Sequence, residues 1–141
     1  MSLRIRNLAS GSAGNATLVS DQASLLTVAG ATFTFSGVIS ETGGARTLTL
    51  TNALASNAFA LSGTNTYSGT TTISAGTLQV GNASTVGTLG TGAVIDNSQL
   101  TFNRSDTITV NNAISGTGVL TQAGSGRLNL LNSSNSYSGG T

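Results

Sequence analysis

Apolar and polar residues alternate with a period of two in six short segments: Thr32-Phe33-Thr34-Phe35, Arg46-Thr47-Leu48-Thr49-Leu50-Thr51, Thr77-Leu78-Gln79-Val80, Gln99-Leu100-Thr101-Phe102, Thr107-Ile108-Thr109-Val110 and Arg127-Leu128-Asn129-Leu130. Successive side chains of a strand point to opposite faces, so each segment predicts a strand with one buried side. Between them stand Gly43-Gly44, Ser62-Gly63, Ser68-Gly69, Gly87-Thr88-Leu89-Gly90, Gly116-Thr117-Gly118 and Gly124-Ser125-Gly126. Glycine takes the positive φ of a tight corner at little steric cost, so these are the expected turns. No run combines a helical period with helix caps. The best candidate, residues 53–60, is short and reads as a helical turn or a loop.

A longer spacing runs beneath the alternation. Val28, Leu50, Ile73, Ile95 and Ile114 recur at nearly even intervals, each near the length of one coil holding three short strands and three corners. Hydrogen-bonded strands lie about 4.8 Å apart, so such coils predict an all-β solenoid of about six coils and a rod on the order of 30 Å long. A sandwich or meander is the competing all-β reading. An immunoglobulin-type sandwich needs a thicker core, and the chain has neither the tryptophan nor the cysteine pair of its usual signature. A larger repeat favours the solenoid: Asn65-Thr66-Tyr67-Ser68-Gly69-Thr70-Thr71 returns as Asn135-Ser136-Tyr137-Ser138-Gly139-Gly140-Thr141, with both tyrosines in register. The first copy continues through Thr72-Ile73-Ser74-Ala75-Gly76-Thr77-Leu78-Gln79-Val80-Gly81. The second stops at Thr141, so the expectation is a solenoid truncated at its C-terminal end.

Composition narrows the chemistry. The chain of 141 residues lacks histidine, cysteine, proline, lysine and tryptophan. It therefore offers no imidazole base, no thiolate, no soft metal ligand and no amine for a Schiff base, and no enzyme activity, cofactor or metal site is expected. Its charges, Arg4, Arg6, Asp21, Glu41, Arg46, Asp96, Arg104, Asp106 and Arg127, sum to +1 and are scattered, which gives no field to steer nucleic acid. Ser, Thr, Asn and Gly make up more than half of the chain, yet low charge and abundant Thr, Val, Ile and Leu argue for folding over disorder. No stretch approaches the apolar length of a membrane span, and the N-terminal residues have no apolar segment of a secretory signal.

The remaining candidate sites are weak. Asp96 and Asp106 could meet on adjacent coils as an acid/base pair; the bland reading is solvated surface. Gly43-Gly44-Ala45-Arg46 lacks the aspartate of a calcium-binding glycine-rich nonapeptide, Gly116-Thr117-Gly118 does not complete a dinucleotide fingerprint, and no P-loop occurs. The sequons at Asn15, Asn82, Asn103 and Asn132 are expected in so polar a composition. Tyr67 and Tyr137 could stack on sugar rings, but their repeated position favours a packed corner.

The segment Leu61-Ser62-Gly63-Thr64-Asn65-Thr66-Tyr67-Ser68-Gly69-Thr70-Thr71-Thr72-Ile73-Ser74-Ala75-Gly76-Thr77-Leu78-Gln79-Val80-Gly81 closely resembles the autotransporter-associated β-strand repeat, also called the passenger-associated transport repeat. Phe35-Ser36-Gly37-Val38-Ile39-Ser40 and Val110-Asn111-Asn112-Ala113-Ile114-Ser115-Gly116 resemble the segment that commonly precedes it. The resemblance marks Gly63, Asn65, Tyr67, Gly69, Thr71, Gly76, Leu78 and Val80 in the first copy and Asn135, Tyr137, Gly139 and Gly140 in the second as structural motif positions. Thr70 departs from the pattern where the family has a second glycine, and residues 46–60 depart from the second copy's Gly124-Ser125-Gly126-Arg127-Leu128, so a distorted corner is expected in the first repeat.

What the resemblance implies is a right-handed parallel β-helix from the secreted passenger of a bacterial type V system, displayed at the cell surface and attached to its own C-terminal outer-membrane barrel. It divides the chain into a lead-in or N-terminal coil over residues 1–30 and a repeat-bearing segment over 31–141. The implied role is a stalk that aids translocation and folding. Alternatives are an adhesin or glycan-binding module facing host or matrix surfaces and an ice-binding solenoid built on Thr47, Thr49 and Thr51. The stretch Leu8-Ala9-Ser10-Gly11-Ser12-Ala13-Gly14-Asn15-Ala16-Thr17-Leu18-Val19 is similar to the opening of certain metallo-β-lactamase-fold hydrolases, but with no histidine their metal ligands are missing, and another coil is the expected reading, with strands over 16–19 and 25–28. Unpaired strand edges without proline or lysine predict fraying or end-to-end self-association.

Overall fold

The computed structural model describes the backbone of residues 4–6, 18–20, 25–29, 33–51 and 58–141, with side chains over 34–51 and 58–141. Every regular element among these residues is a strand: β1 (Arg4–Arg6), β2 (Leu18–Ser20), β3 (Leu25–Ala29), β4 (Phe33–Phe35), β5 (Ile39–Glu41), β6 (Thr47–Thr51), β7 (Ala58–Leu61), β8 (Thr71–Ala75), β9 (Thr77–Ser84), β10 (Val94–Asp96), β11 (Gln99–Arg104), β12 (Ile108–Val110), β13 (Ile114–Ser115), β14 (Val119–Gln122) and β15 (Leu128–Leu130). Each of the six alternating segments contributes residues to a strand. Of the candidate helical turn, residues 53–57 fall outside the described residues and 58–60 belong to strand β7. Strands β2 and β3 overlap the expected 16–19 and 25–28, whereas residues 8–17 are outside the described residues.

Each strand pairs in parallel with the strand one lap away. One sheet runs β1-β3-β6-β8-β10-β13, a second β14-β11-β9-β7-β4, and two pairs, β2-β5 and β12-β15, form the remaining ladders. The result is a β-solenoid whose longest sheet stacks six strands, one from each lap. Laps are unequal: the one that brings Phe33 beside Phe59 is longer than the one that brings Ala58 beside Thr77. Corners of different length take up the difference, because only strand register is held by the ladder.

Inward side chains stack in columns along the axis. Leu48, Thr71, Val94 and Ile114 form one; Phe59, Leu78, Leu100 and Leu120 another; Phe35, Leu61, Val80 and Phe102 a third, continued by Gln122. The core is one residue thick on each face, so each apolar side chain packs against its counterparts above and below as well as across the axis. A lone strand could bury none of this; stacking buries all of it.

The spacing of apolar residues misplaces two of its five positions, Ile95 and Ile114. Val28, Leu50 and Ile73 do share a column, but the residue paired with Ile73 is Asp96, while Ile95 pairs with Thr72 and Ser115. Ile95 points outward and is 37% exposed. Ile114 instead pairs with Val94. A slip of one residue along a strand exchanges its two faces, so a repeat read only to the nearest residue cannot settle which side chain is buried. Truncating Leu100 to Ala should therefore cost about 2–5 kcal/mol in urea-induced unfolding. Ile95→Thr should stay within about 0.5 kcal/mol, and a cost comparable to Leu100→Ala would contradict its outward placement.

Candidate functional site

Most motif residues gather at corners, where each lap is tied to its neighbours, while Thr71, Leu78 and Val80 lie in strands β8 and β9. Asn65, only 5% exposed, occupies the centre of this arrangement. Its Oδ1 accepts from the Ile39 N–H of the preceding lap at 2.8 Å, its Nδ2 donates to the Thr88 carbonyl of the following lap at 2.7 Å, and its own N–H donates to Thr88 Oγ1 at 2.8 Å. Strand β5 begins at Ile39, so the asparagine supplies the acceptor that a strand's first amide lacks. A side-chain amide suits the role because it carries a donor and an acceptor side by side. In the second copy Asn135 Oδ1 accepts from the Ile114 N–H, the start of β13, at 2.9 Å. Asn112 adds a rung between the copies, donating from Nδ2 to the carbonyls of Gly90 and Gly92.

Tyr67 is buried, and its hydroxyl is 2.8 Å from Thr71 Oγ1, a threonine standing in the apolar column of Leu48 and Val94. Each hydroxyl gives the other the partner that burial otherwise removes. Burial pushes the Tyr67 hydroxyl above the usual phenol range, so it stays neutral. Tyr137 repeats the contact with Thr141 Oγ1 at 3.0 Å, half-buried. Buried Tyr67 presents no open ring face of the kind a sugar platform needs, so the packed corner is the better description.

The motif glycines are set by close approach of backbones. A Cβ on Gly63 would fall 1.8 Å from the Gly37 carbonyl oxygen, one on Gly69 2.1 Å from that of Arg46, and one on Gly139 2.1 Å from that of Gly118. Gly76, at φ 81°, turns the chain between β8 and β9, and Gly140, at φ 96°, takes a conformation that Thr70 in the first copy does not. Leu78 and Val80 are fully buried in their columns.

The two copies do not sit on the same face. The strand leading into the first, β7, belongs to the five-stranded sheet, whereas β15, leading into the second, pairs only with β12. Asn65 receives the first amide of β5, and Asn135 that of β13, whose Ile114 continues the column of Thr71 and Val94. The offset between the motif copies is therefore not a whole number of laps. What the copies share is their bonding to the lap before, not a position on the rod.

Sequence reasoning missed the roles of three charged side chains at these corners, Glu41, Arg104 and Asp106. Glu41 Oε2 accepts from the Ser68 N–H at 2.9 Å and from the Arg46 N–H at 2.8 Å. In the second copy Ser138 N–H donates instead to the Gly116 carbonyl, so Glu41 stands in for a backbone acceptor where residues 41–46 swing wide through Gly43 and Gly44. The bond from Ser68 holds the Glu41 carboxyl below its ordinary pKa. Arg104 fastens another corner: it donates to the Gly87 and Thr85 carbonyls and forms a two-point pair with Asp106, whose pKa is lowered by that bond. The signal for this clamp was a pair of opposite charges two positions apart, too common to read alone.

Asp96 and Asp106, the candidate acid/base pair, have separate roles. Asp106 is held by Arg104 beyond β11, while Asp96 is 1% exposed at the end of β10, under Gly118. Among the described residues no three His, Cys, Asp or Glu side chains gather as a metal site, and no helix is long and apolar enough to cross a membrane. The site's chemistry is hydrogen bonding between laps.

Residues 56–80 and 120–141 match the Passenger-associated-transport-repeat, so the chain carries this repeat twice. A curated relative, the Adhesin BmaC autotransporter of Brucella suis biovar 1 (strain 1330), is 39% identical over 85 residues, 60% of this chain, and the chain spans 2% of that protein's length. No solved structure matches. Over these residues the chain is similar to autotransporter passenger sequence.

Asn65→Ala leaves the Ile39 amide buried without its acceptor and should cost about 1–3 kcal/mol in denaturant unfolding. Asn135→Ala, at a half-buried corner, should cost less, and the reverse order would contradict the ladder described. Because the folded-state pKa of Glu41 is lowered, its contribution is present above the unfolded carboxyl value and is lost as pH falls through the folded one. Glu41→Gln should weaken that acid-side loss in a pH series of unfolding midpoints.

Proposed function

We propose that this segment is a non-catalytic stalk of a secreted autotransporter passenger, exposed outside the outer membrane, and that its repeats aid translocation and folding. The observation that carries the reading is that the motif residues are committed to lap-to-lap contact: Asn65, Tyr67 and Gly69 all pack against an adjacent lap rather than solvent. A motif engaged in this way has no group left over for a substrate. It does supply a repeated docking step, since each lap needs only the lap before it, so coils can form one at a time as a chain emerges from a pore, and folding outside disfavours return. The implied partner is the passenger's own C-terminal outer-membrane barrel.

A second reading, an adhesin or glycan-binding module, draws on the Brucella relative being named an adhesin and on outward Ile95, Val119 and Val86, which are exposed apolar side chains on a polar surface. The ice-binding reading draws less support: the row through Thr49 and Thr72 is broken at Ile95 before Ser115.

Deleting residues 31–141 from the full passenger should reduce its surface display, read by protease accessibility on intact cells, and Asn65→Ala with Asn135→Ala together should reduce it in part. Display equal to the intact passenger would overturn the translocation role. Binding of the isolated segment to cells or to a glycan array would favour the adhesin reading.

A further inference from the structure

Asp96 stands where the stacking calls for an apolar side chain. It pairs with Ile73, beyond which lie Leu50 and Val28. One carboxylate oxygen, Oδ1, accepts from the Ser98 N–H at 3.1 Å, and the other, Oδ2, is buried without a partner. The next lap closes over it: a Cβ on Gly118 would lie 2.4 to 2.7 Å from the three carboxyl atoms, and the Gly118 N–H donates to the Asp96 carbonyl at 2.8 Å. The elements packed around it are β8, β13, the corners 97–98 and 116–118 and the start of β11 at Gln99 and Leu100; of these only β11 carries a charge, Arg104 at its far end. Tyr67, bonded to Thr71 of β8, is itself neutral. Arg104 and Asp106 are engaged with each other past the far end of β11, and Glu41 and Arg46 are joined to each other on an earlier lap, where Glu41 also receives Ser68.

An ionised carboxylate here would be a buried charge with no cation and one of its oxygens unbonded, an expensive arrangement that proton uptake relieves. We propose that Asp96 is a proton-binding site of the solenoid: its carboxyl is carried neutral between the laps of β10 and β14, and its ionisation loosens that junction. The direction of its pKa, raised mainly by burial, agrees. The sign of the pH effect is opposite to that of Glu41 and Asp106. Stability from Asp96 is fully present below the unfolded aspartate pKa and is lost as pH rises through the raised folded value, by up to about tenfold in the folding constant per pH unit inside that window. The inference rests on the packing alone and holds whether or not the segment acts as a stalk.

The chain contains three aspartates, Asp21, Asp96 and Asp106, so a carbon-13 NMR titration of aspartate carboxyls can be assigned by single substitutions. In the unmodified protein the Asp96 carboxyl should titrate above the ordinary aspartate range and Asp106 below it. Relative to wild type, Asp96→Asn should gain stability as pH rises through the Asp96 titration, because the amide has no charge to acquire. Titration of Asp96 at or below the ordinary value, or a wild-type-to-variant difference that does not change with pH, would overturn the proposal. The wild-type titration decides it even if the variant does not fold.

Discussion

The approach of one lap to the next, backbone on backbone at the corners, is the constraint from which the rest of the structure follows. Parallel pairing sets the laps about 4.8 Å apart, a spacing that leaves no room for a side chain where corners stack directly. Gly63 over Gly37, Gly92 over Gly69 and Gly139 over Gly118 are the places where this shows, since a single added carbon would meet a carbonyl oxygen in each case. Glycine is required there by contact rather than by dihedral angle. None of Gly63, Gly69, Gly92 and Gly139 has positive φ.

Tight stacking of irregular corners leaves backbone amides and carbonyls without ladder partners, and these must be satisfied in a thin, dry interior. Side chains fill the gaps. Asn65 and Asn135 accept from the first amide of a strand, Asn112 donates to two carbonyls of the lap before, and Glu41 replaces a carbonyl where the corner bulges. The abundance of asparagine and threonine in a chain that nonetheless folds is thereby explained: many of these side chains serve as backbone partners. The same commitment limits the chemistry, because a side chain bonded to a neighbouring lap is not free to act on a substrate.

Local misfits are tolerated because the columns are redundant. Asp96 interrupts a column of the first sheet, and Gln122 ends one of the second with its Oε1 unpartnered, while its Nε2 donates to the carbonyls of Gly124 and Gly126. Each lap adds its own contacts to the lap before, so one poor level weakens a junction without abolishing the stack. A polar residue inside such a rod is a place where stability can respond to conditions.

Alternation, corner glycines and the returning Asn-x-Tyr-x-Gly motif were legible because they are local: a strand's two faces and a corner's dihedral needs are written in neighbouring residues. From them the all-β class, the solenoid and the strands over residues 77–80, 99–102 and 128–130 followed. Three matters belonged to the tertiary structure. Register between laps of unequal length decided that Asp96, not Ile95, lies under Ile73, because a one-residue slip swaps the faces of a strand. The accumulated lap lengths decided that the two motif copies fall on different faces. Contacts between distant parts of the chain decided that Arg104 closes the corner at 85–87 and that Glu41 receives Ser68, pairings that no spacing along the chain encodes because the intervening corner can take any length that closes the lap.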